Sequence, residues 1–156
     1  MKDQSALSLQ SPQAALAETV ARETFQSLLA ALSNPGRAFT LPGRPLSNRQ
    51  CCQQIGFTLL DLETSFYTPD LALAVALRQS GAHTLTAANA AYLFFLDGVA
   101  RQTLESIEEA KVGTITDPDE GATVIVACEL GKGALLCCSG PGIPQTRKLR
   151  VDGLSP

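Results

Sequence analysis

The sequence predicts one domain of the α/β class, a mixed sheet flanked by helices. Segments with apolar residues at helical spacing alternate with short apolar runs of strand length. The last two apolar runs are separated only by Gly131-Lys132-Gly133, a good hairpin linker, which adds an antiparallel pair to the sheet. At 156 residues the chain is long enough to bury about 70% of its unfolded surface around one core.

Composition narrows the classes of function. A hydrophobic content of 45% and a charged content of 17% are typical of a well-packed globular protein. The net charge of −3 argues against broad electrostatic binding of DNA or RNA. No apolar run approaches the ~20 residues of a transmembrane helix. Without a signal-peptide core or a CxxC motif, the chain with its five cysteines is predicted to be cytoplasmic, with reduced thiols.

The N-terminal part of the chain is predicted to be an arm and a helix. Residues 1–14 are polar and aperiodic, so we predict a flexible arm there, followed by the domain over 15–156. The first helix ends at Asn34-Pro35-Gly36, because proline lacks an N–H donor and glycine permits a left-handed turn. One face of this helix is predicted to face the core through Val20, Phe25, Leu28, Leu29 and Leu32.

The next segments alternate between predicted strands and helices. Residues 37–41 resemble a short strand, and 41–47 form a loop. A second helix is predicted over 48–62, with Cys52, Ile55, Leu59 and Leu62 on its apolar face. A short strand follows at 65–68. A third helix over 70–80 begins after Pro69 and ends at Gly81.

The C-terminal half supplies three more strands. Residues 92–96 are short and aromatic, which indicates a strand. A fourth helix is predicted over 101–111, and the sequence TDPDEGA after it is a turn. The apolar runs 122–130 and 134–140 are then predicted to be buried strands that pair with each other across the Gly131–Gly133 linker.

The positions of the cysteines indicate packed apolar side chains, not metal binding or redox chemistry. Cys137 and Cys138 are neighbours in a predicted strand, so their side chains point to opposite faces and cannot easily bind one metal ion. Cys128 also lies in an apolar strand, where burial raises the thiol pKa. His83 is the only histidine, which leaves a tetrahedral zinc site short of ligands. A thiol-based metal-binding or redox function is therefore the weakest hypothesis for this chain.

Two loops and one histidine are candidate sites. SGPGI (139–143) matches neither the Walker A nor the GxGxxG pattern, and Pro141 removes one amide donor from any phosphate nest. The three acids of DPDEGA fit a solvated turn better than a cation site. His83 has no recognisable partners for base catalysis. The residues alone reveal no self-sufficient active site.

Three segments, read in order, resemble one known family. FQSLLAALSNPGR (25–37) resembles its N-terminal helix and Ser/Asn-Pro-Gly turn. DPDEGATVIVACEL (117–130) resembles its Glu-x-Gly-Ala-Thr turn and strand, and LLCCSGPGI (135–143) resembles the next strand and its Gly-x-Gly-Ile end. On these motifs the chain is identified as a member of the family of the H subunit (PhnH) of the bacterial carbon–phosphorus lyase core complex. It is expected to be shortened at its C-terminus relative to that family.

The resemblance implies a role in organic phosphonate catabolism. The family's complex, with its G, I and L subunits, forms α-D-ribose 1-alkylphosphonate 5-triphosphate from ATP and an alkylphosphonate and displaces adenine. The H subunit is an accessory component of this enzyme complex, without an evident active site of its own. Its fold is similar to that of pyridoxal-phosphate-dependent transferases but lacks the cofactor lysine. The implied partners are a second copy and the other core subunits. ATP or an alkylphosphonate is expected to be bound through the complex. The resemblance implies no cofactor and no binding to nucleic acid or membrane.

The family-like turns supply the candidate interface or ligand residues, and no residue is assigned a catalytic or metal-binding role. The alternative hypothesis is a stand-alone nucleotide- or phosphate-binding α/β protein, in which the Gly140 loop and Lys132 hold a phosphate. Arg37 is expected to pair with a carboxylate or a nucleotide phosphate. The candidates are Ser33, Asn34, Pro35, Gly36, Arg37, Glu120, Gly121, Thr123, Gly140 and Gly142.

Overall fold

The fold is an α/β domain with a projecting β-hairpin. The computed structural model describes residues 12–96, 98 and 101–153. The helices are α1 (Pro12–Ser33), α2 (Asn48–Leu59), α3 (Leu71–Leu77) and α4 (Arg101–Glu108), with 3₁₀ turns at Arg78–Ser80 and Pro118–Glu120. The strands are β1 (Ser65–Tyr67), β2 (His83–Thr84), β3 (Tyr92–Phe95), β4 (Thr123–Val126), β5 (Glu129–Gly140) and β6 (Ile143–Asp152). None of the described helices is long and apolar enough to cross a membrane.

Four strands form a parallel sheet in the order β2-β1-β3-β4. Phe66 pairs with Tyr92, and Leu93 pairs with Val124. The crossovers β1–α3–β2 and β3–α4–β4 explain the helix and strand alternation in the sequence, because parallel neighbours need a long connection. The predicted α/β class is confirmed.

The core has two layers, one on each face of the sheet. Phe94 and Phe66 are fully buried on one face with Leu73 and Leu77 of α3. Leu93 and Phe95 are buried on the other face, where Ile107 of α4 packs against them. Successive strand residues point to opposite faces, so one strand, β3, contributes to both layers. An apolar run without polar alternation is what a strand covered on both sides requires.

Two helices begin at side-chain caps that the sequence encodes locally. Ser47 accepts a hydrogen bond from the backbone N–H of Gln50, and the Gln50 side chain accepts one from the backbone N–H of Ser47. This reciprocal capping box starts α2. Asp70 caps α3 by accepting a hydrogen bond from the backbone N–H of Leu73 at 2.7 Å.

The hairpin prediction was wrong. Residues 122–130 and 134–140 do not pair with each other: β4 pairs with β3 instead, and β5 pairs antiparallel with β6 in a separate two-stranded sheet. The turn is Pro141-Gly142, with Gly142 at the φ of +80° that the third position of a type II turn requires. Gly131-Lys132-Gly133 lies inside β5, where the register shifts between Leu130 and Ala134. The predicted single mixed sheet is therefore a parallel sheet and a hairpin.

Two further predictions were wrong. Residues 37–41 form no strand. The run LLCCSG is not buried: Leu135 and Leu136 are 48% and 38% exposed, and the hairpin is a sheet separate from the parallel one. Of the predicted arm, 1–11 lie outside the described residues, and 12–14 belong to α1.

The predicted core face of α1 was also wrong in part. Val20 and Leu28 are half-buried, but Phe25, Leu29 and Leu32 are 50%, 53% and 74% exposed. The buried centre of this helix is Thr24, whose hydroxyl accepts a hydrogen bond from Gln54 of α2 at 2.8 Å. The contact with α2 sets the rotation of α1 and leaves part of its apolar stripe outward.

Candidate functional site

The structure brings two of the three family-like turns together. The Ser33–Gly36 turn ends α1, and the Gly140–Gly142 turn forms the tip of the hairpin. A side chain at Gly142 would lie 3.8 Å from Cδ of Pro35 and 3.9 Å from the carbonyl oxygen of Ser33. We call this meeting of α1 and the hairpin tip the turn junction.

Arg147 of β6 holds the turn junction together. Its Nη1 donates a hydrogen bond to the carbonyl oxygen of Pro35 at 3.1 Å. The aliphatic part of the same side chain covers Gly36, where an added Cβ would lie 3.0 Å from the arginine Cδ. Gly36 has a φ of +76°, so glycine is favoured at this position by both the backbone and the space.

The rest of the α1 turn is closed by its own hydrogen bonds. The side-chain amide of Asn34 donates to the carbonyl oxygen of Ala30 at 2.9 Å, which satisfies a carbonyl at the helix end. The backbone N–H of Arg37 donates to the carbonyl oxygen of Asn34 at 3.0 Å. Arg37 itself is exposed, so its guanidinium is available at the edge of the turn junction.

The third turn lies elsewhere. Glu120 belongs to the 3₁₀ turn before β4 and is exposed. An added Cβ at Gly121 would lie 3.0 Å from the backbone nitrogen of Gly113. The backbone N–H of Thr123 donates to the carbonyl oxygen of Ala91, just before β3, at 2.8 Å. This turn therefore lies at the amino ends of β3 and β4 and aligns β4 with the sheet.

An open cleft of about 500 Å³ lies at the opposite, carboxyl ends of β3 and β4. Ligands of open α/β sheets usually bind at this edge. The hairpin base closes one side, because Gly98 lies so near the carbonyl oxygen of Gly153 that a side chain would clash. The cleft is lined by Asn48, Leu96, Gly98, Ala127, Cys128, Glu129, Asp152 and Gly153.

The charges of this cleft are unsuited to a phosphate. Glu129 and Asp152 are directly paired across β5 and β6, so two carboxylates line the same wall. Lys132 donates to Glu129 at 2.7 Å and is already engaged. Lys132 also lies in the irregular part of β5 near the hairpin base, whereas Gly140 is at the tip, roughly 20 Å away along the strand. The predicted pairing of Lys132 with the Gly140 loop was therefore wrong.

The thiols occupy different environments. Burial raises the pKa of Cys52 to about 11, with a further contribution from Cys51. Burial also raises the pKa of Cys128, as the sequence predicted. Cys137 is exposed on the hairpin, and its neighbour Cys138 is half-buried on the other face. Among the described residues, no three His, Cys, Asp or Glu side chains are grouped to hold a metal ion.

Sequence reasoning missed Arg147, the residue that joins the two turns. The only local signal is its place in RKLR (147–150), a short basic cluster of the kind that usually forms a solvated face. The contact spans 112 residues, and no local pattern reports a pairing of that range. Gly98 and Gly153, which lie against each other at the hairpin base, were missed for the same reason.

Comparison with known proteins agrees with these motifs. The model of a family described as bacterial phosphonate metabolism protein (PhnH) matches residues 13–156. The chain is 31% identical over 134 residues to a protein of Stutzerimonas stutzeri described as putative C-P lyase subunit protein HtxG. That alignment covers 85% of this chain and 65% of the relative. This chain belongs to the PhnH family of bacterial phosphonate metabolism proteins.

Proposed function

We propose that this protein is an accessory, non-catalytic subunit of the carbon–phosphorus lyase core complex. Its role is to support the formation of α-D-ribose 1-alkylphosphonate 5-triphosphate from ATP and an alkylphosphonate. Family membership and the printed description of the HtxG relative as a C-P lyase subunit support this proposal. Its partners are a second copy and the other core subunits, and its place in the cell is the cytoplasm. The similarity of its fold to pyridoxal-phosphate-dependent transferases belongs to the same proposal.

The turn junction is the observation that carries the proposal. Two segments that resemble the family, far apart in the sequence, meet through Gly142, Pro35 and Arg147. The backbone hydrogen-bonding groups of the turn are largely satisfied internally. A preformed surface of this kind suits protein recognition, since little conformational entropy is lost when it binds. Arg37 at its edge offers a bidentate donor for a partner carboxylate or a nucleotide phosphate.

Co-purification tests the proposal. The chain is expressed with the G, I and L subunits of a bacterial carbon–phosphorus lyase, with an affinity tag on one of them, and its recovery in the complex is measured. The variant Arg37→Ala is expected to reduce recovery by about tenfold, as loss of one charge-assisted interface pair does. Arg44→Ala is the matched control, because Arg44 is exposed in the following loop. Failure of the wild-type chain to join the complex contradicts the proposed function.

A thermal-shift measurement separates the alternative. A stand-alone nucleotide binder gains several degrees in melting temperature with ATP or a phosphonate, because any ligand selective for the native state stabilises it. With Glu129 and Asp152 lining the cleft, we expect no gain for the isolated chain. A clear gain with ATP, in a chain that does not join the complex, favours the stand-alone hypothesis.

A further inference from the structure

The parallel sheet ends at a strand with one open side. In the described part of the chain, β4 is bonded to β3 and to no strand on its other side. The backbone N–H groups of Thr123 and Ala127 each donate at 2.8 Å to carbonyl oxygens just before β3 and at its end. Bonds toward β3 therefore recur at every second residue. The intervening residues, Val124 and Val126, direct their N–H and C=O groups outward, and we call this open side the β4 edge.

The composition of β4 suits pairing with another strand. Exposed edge strands are commonly very short, or they carry proline or charged side chains that prevent pairing. β2, at the opposite edge of the sheet, has only the two residues His83 and Thr84. β4 has four residues, TVIV, all of them β-branched and uncharged, and the Val124 side chain is 36% exposed. Such a sequence favours an added strand.

Carboxylates lie at both ends of the β4 edge. Residues 117–129 contain four acidic residues and no basic residue. Asp119 and Glu120 are exposed in the turn before β4, and Glu129 is exposed just after it. Glu129 has an ion pair of its own, but it is directly paired across the hairpin with Asp152, which is also exposed. Each end of β4 therefore has negative charge to offer to a bound molecule.

We propose that the β4 edge binds an extended segment of another protein, which adds a strand to the sheet. The centre of this segment has β-branched side chains, and basic residues lie on both sides of that centre. Its backbone bonds to the outward groups of Val124 and Val126, and alternate side chains pack beside the exposed Val124. Its cations pair with the carboxylates at the two ends of β4. Because both ends are acidic, the charges match in either strand direction.

The charges also disfavour other occupants. A second copy that paired its own β4 edge antiparallel to this one would place Asp119 and Glu120 of each copy beside Glu129 of the other, and like charges side by side are destabilising. A nucleic acid is repelled by the same carboxylates. The inference goes beyond the proposed function, and only the expectation that another core subunit supplies the segment rests on that function.

Binding of a synthetic peptide to the full chain tests the inference. The probe is the fluorescently labelled peptide KKVTVTVKK, and fluorescence anisotropy measures its dissociation constant at about 50 mM NaCl. One control peptide is EEVTVTVEE, which the acidic ends of β4 repel. The other is KKVTVTVKK with every amide of its VTVTV core N-methylated, which keeps the charges and removes the backbone donors. We expect each control to bind at least about tenfold more weakly.

Val124→Pro tests the edge on the protein side. The substitution removes one outward donor and keeps the bonds between β4 and β3, as proline in an edge strand can. We expect it to weaken peptide binding by about tenfold. Thr84→Pro is the matched control, because the N–H groups of His83 and Leu85 donate to carbonyl oxygens beside β1, so the Thr84 N–H points outward at the opposite edge. It is expected to leave peptide binding unchanged.

A charge reversal tests the acidic ends. Asp119→Lys/Glu120→Lys is expected to bring the affinities for KKVTVTVKK and EEVTVTVEE to within about threefold of each other. Glu18→Lys/Glu23→Lys makes the same charge change at exposed positions of α1 and is expected to keep the preference for the lysine peptide.

Amide hydrogen exchange locates the bound peptide. The backbone amides of Val124 and Val126 are expected to exchange at least about tenfold more slowly when KKVTVTVKK is bound, and the amide of Thr84 is expected to be unaffected. Circular dichroism verifies that each variant is folded. The exchange measurement uses the wild-type chain, so it decides the question even where a proline variant does not fold.

Four outcomes overturn the inference. The first is a wild-type chain that does not bind KKVTVTVKK saturably, and the second is equal affinity for the N-methylated peptide. The third is bound peptide without protection of Val124 and Val126. The fourth is a dimer that Val124→Pro dissociates, which assigns the β4 edge to a second copy. Peptide binding at the edge by a chain that no core subunit captures contradicts the proposed function and leaves the inference standing.

Discussion

Arg147 and Pro35 are joined by a hydrogen bond of 3.1 Å between the guanidinium Nη1 and the carbonyl oxygen. The bond fixes the hairpin tip against the C-terminal end of α1. The same side chain fills the space over Gly36, so one residue supplies both the polar and the apolar part of the contact.

Arg147→Ala is therefore expected to destabilise the protein by about 1–2 kcal/mol, from one lost hydrogen bond and the lost stem packing. Chemical denaturation measures the change. Arg147→Lys keeps most of the stem and is expected to lose less. The control is Arg150→Ala, whose hydrogen bond to Gly133 lies within the hairpin. If Arg147→Ala leaves stability unchanged, the turn junction is not held by this side chain.

Asp70 makes a pH-dependent contribution to the free energy of unfolding. The backbone N–H of Leu73, and then the Arg49 guanidinium at 2.8 Å, hold the pKa of this carboxyl below its ordinary value of 3.8. A lowered pKa in the folded state stabilises the protein above the unfolded value, and this contribution is lost as pH falls through the folded pKa. Because the pair lies at the surface, with Arg49 exposed and Asp70 half-buried, we expect Asp70→Asn to cost about 1 kcal/mol or less at pH 7.

The pH profile of unfolding tests this assignment. The stability difference between wild type and Asp70→Asn is expected to be constant at neutral pH and to shrink as the carboxyl protonates below 3.8. Arg49→Ala removes the ion pair and leaves the helix cap, so it isolates the Arg49 contribution. A difference that is the same at pH values above and below the titration contradicts the role of Asp70.

Gln145 is the non-glycine residue with a positive φ, +62°, in the described part of the chain. The left-handed region costs a residue with a Cβ roughly 1–2 kcal/mol. Gln145→Gly is expected to raise stability by about 0.5–1 kcal/mol, after the greater chain entropy of glycine is deducted. Thermal unfolding measures the effect. Thr146→Gly, at the next position of β6, is the control and is expected to be destabilising.

The thiols are expected to react in an order set by exposure and pKa. Cys137 is exposed, whereas Cys52 is buried and its pKa is raised to about 11. Since the thiolate is the nucleophile, iodoacetamide at pH 8 is expected to label Cys137 first and Cys52 last. Peptide mass spectrometry after timed labelling reads the order. Cys137→Ser supplies the control, and early labelling of Cys52 in the folded protein contradicts its burial.

Most helices and strands were predicted correctly from residues a few positions apart. The misplaced hairpin depended on strand pairing between residues far apart in the sequence. The stop at Asn34-Pro35-Gly36, the start of α3 at Asp70 and the aromatic strand β3 are decided by residues a few positions apart. The hairpin was misplaced because Gly131-Lys132-Gly133 and Pro141-Gly142 both have turn chemistry. The pairing of β4 with β3 decides between them, and that pairing joins residues 31 positions apart, such as Tyr92 and Thr123.

The turn junction was only partly predictable, because its two turns are local features and the contact between them is long-range. Ser33–Arg37 and Gly140–Gly142 were identified as turns, and they meet in the structure. Nothing local indicated that Arg147 joins them, because a cation in a strand resembles any solvated residue. The rotation of α1 was equally hidden, since it depends on the hydrogen bond between Thr24 and Gln54, two residues on different helices.

The two-residue turn at Pro141-Gly142 also has a consequence for the order of assembly. Hairpin pairs are 3 to 23 positions apart along the chain, from Gly140 with Ile143 to Glu129 with Asp152, whereas neighbouring strands of the parallel sheet require crossovers. Closing short loops is faster, so the hairpin can zip from its tip within microseconds. The parallel sheet forms more slowly, after the hairpin. Docking of Arg147 onto the C-terminal end of α1 is then a late folding step, which joins the first helix to the last strand.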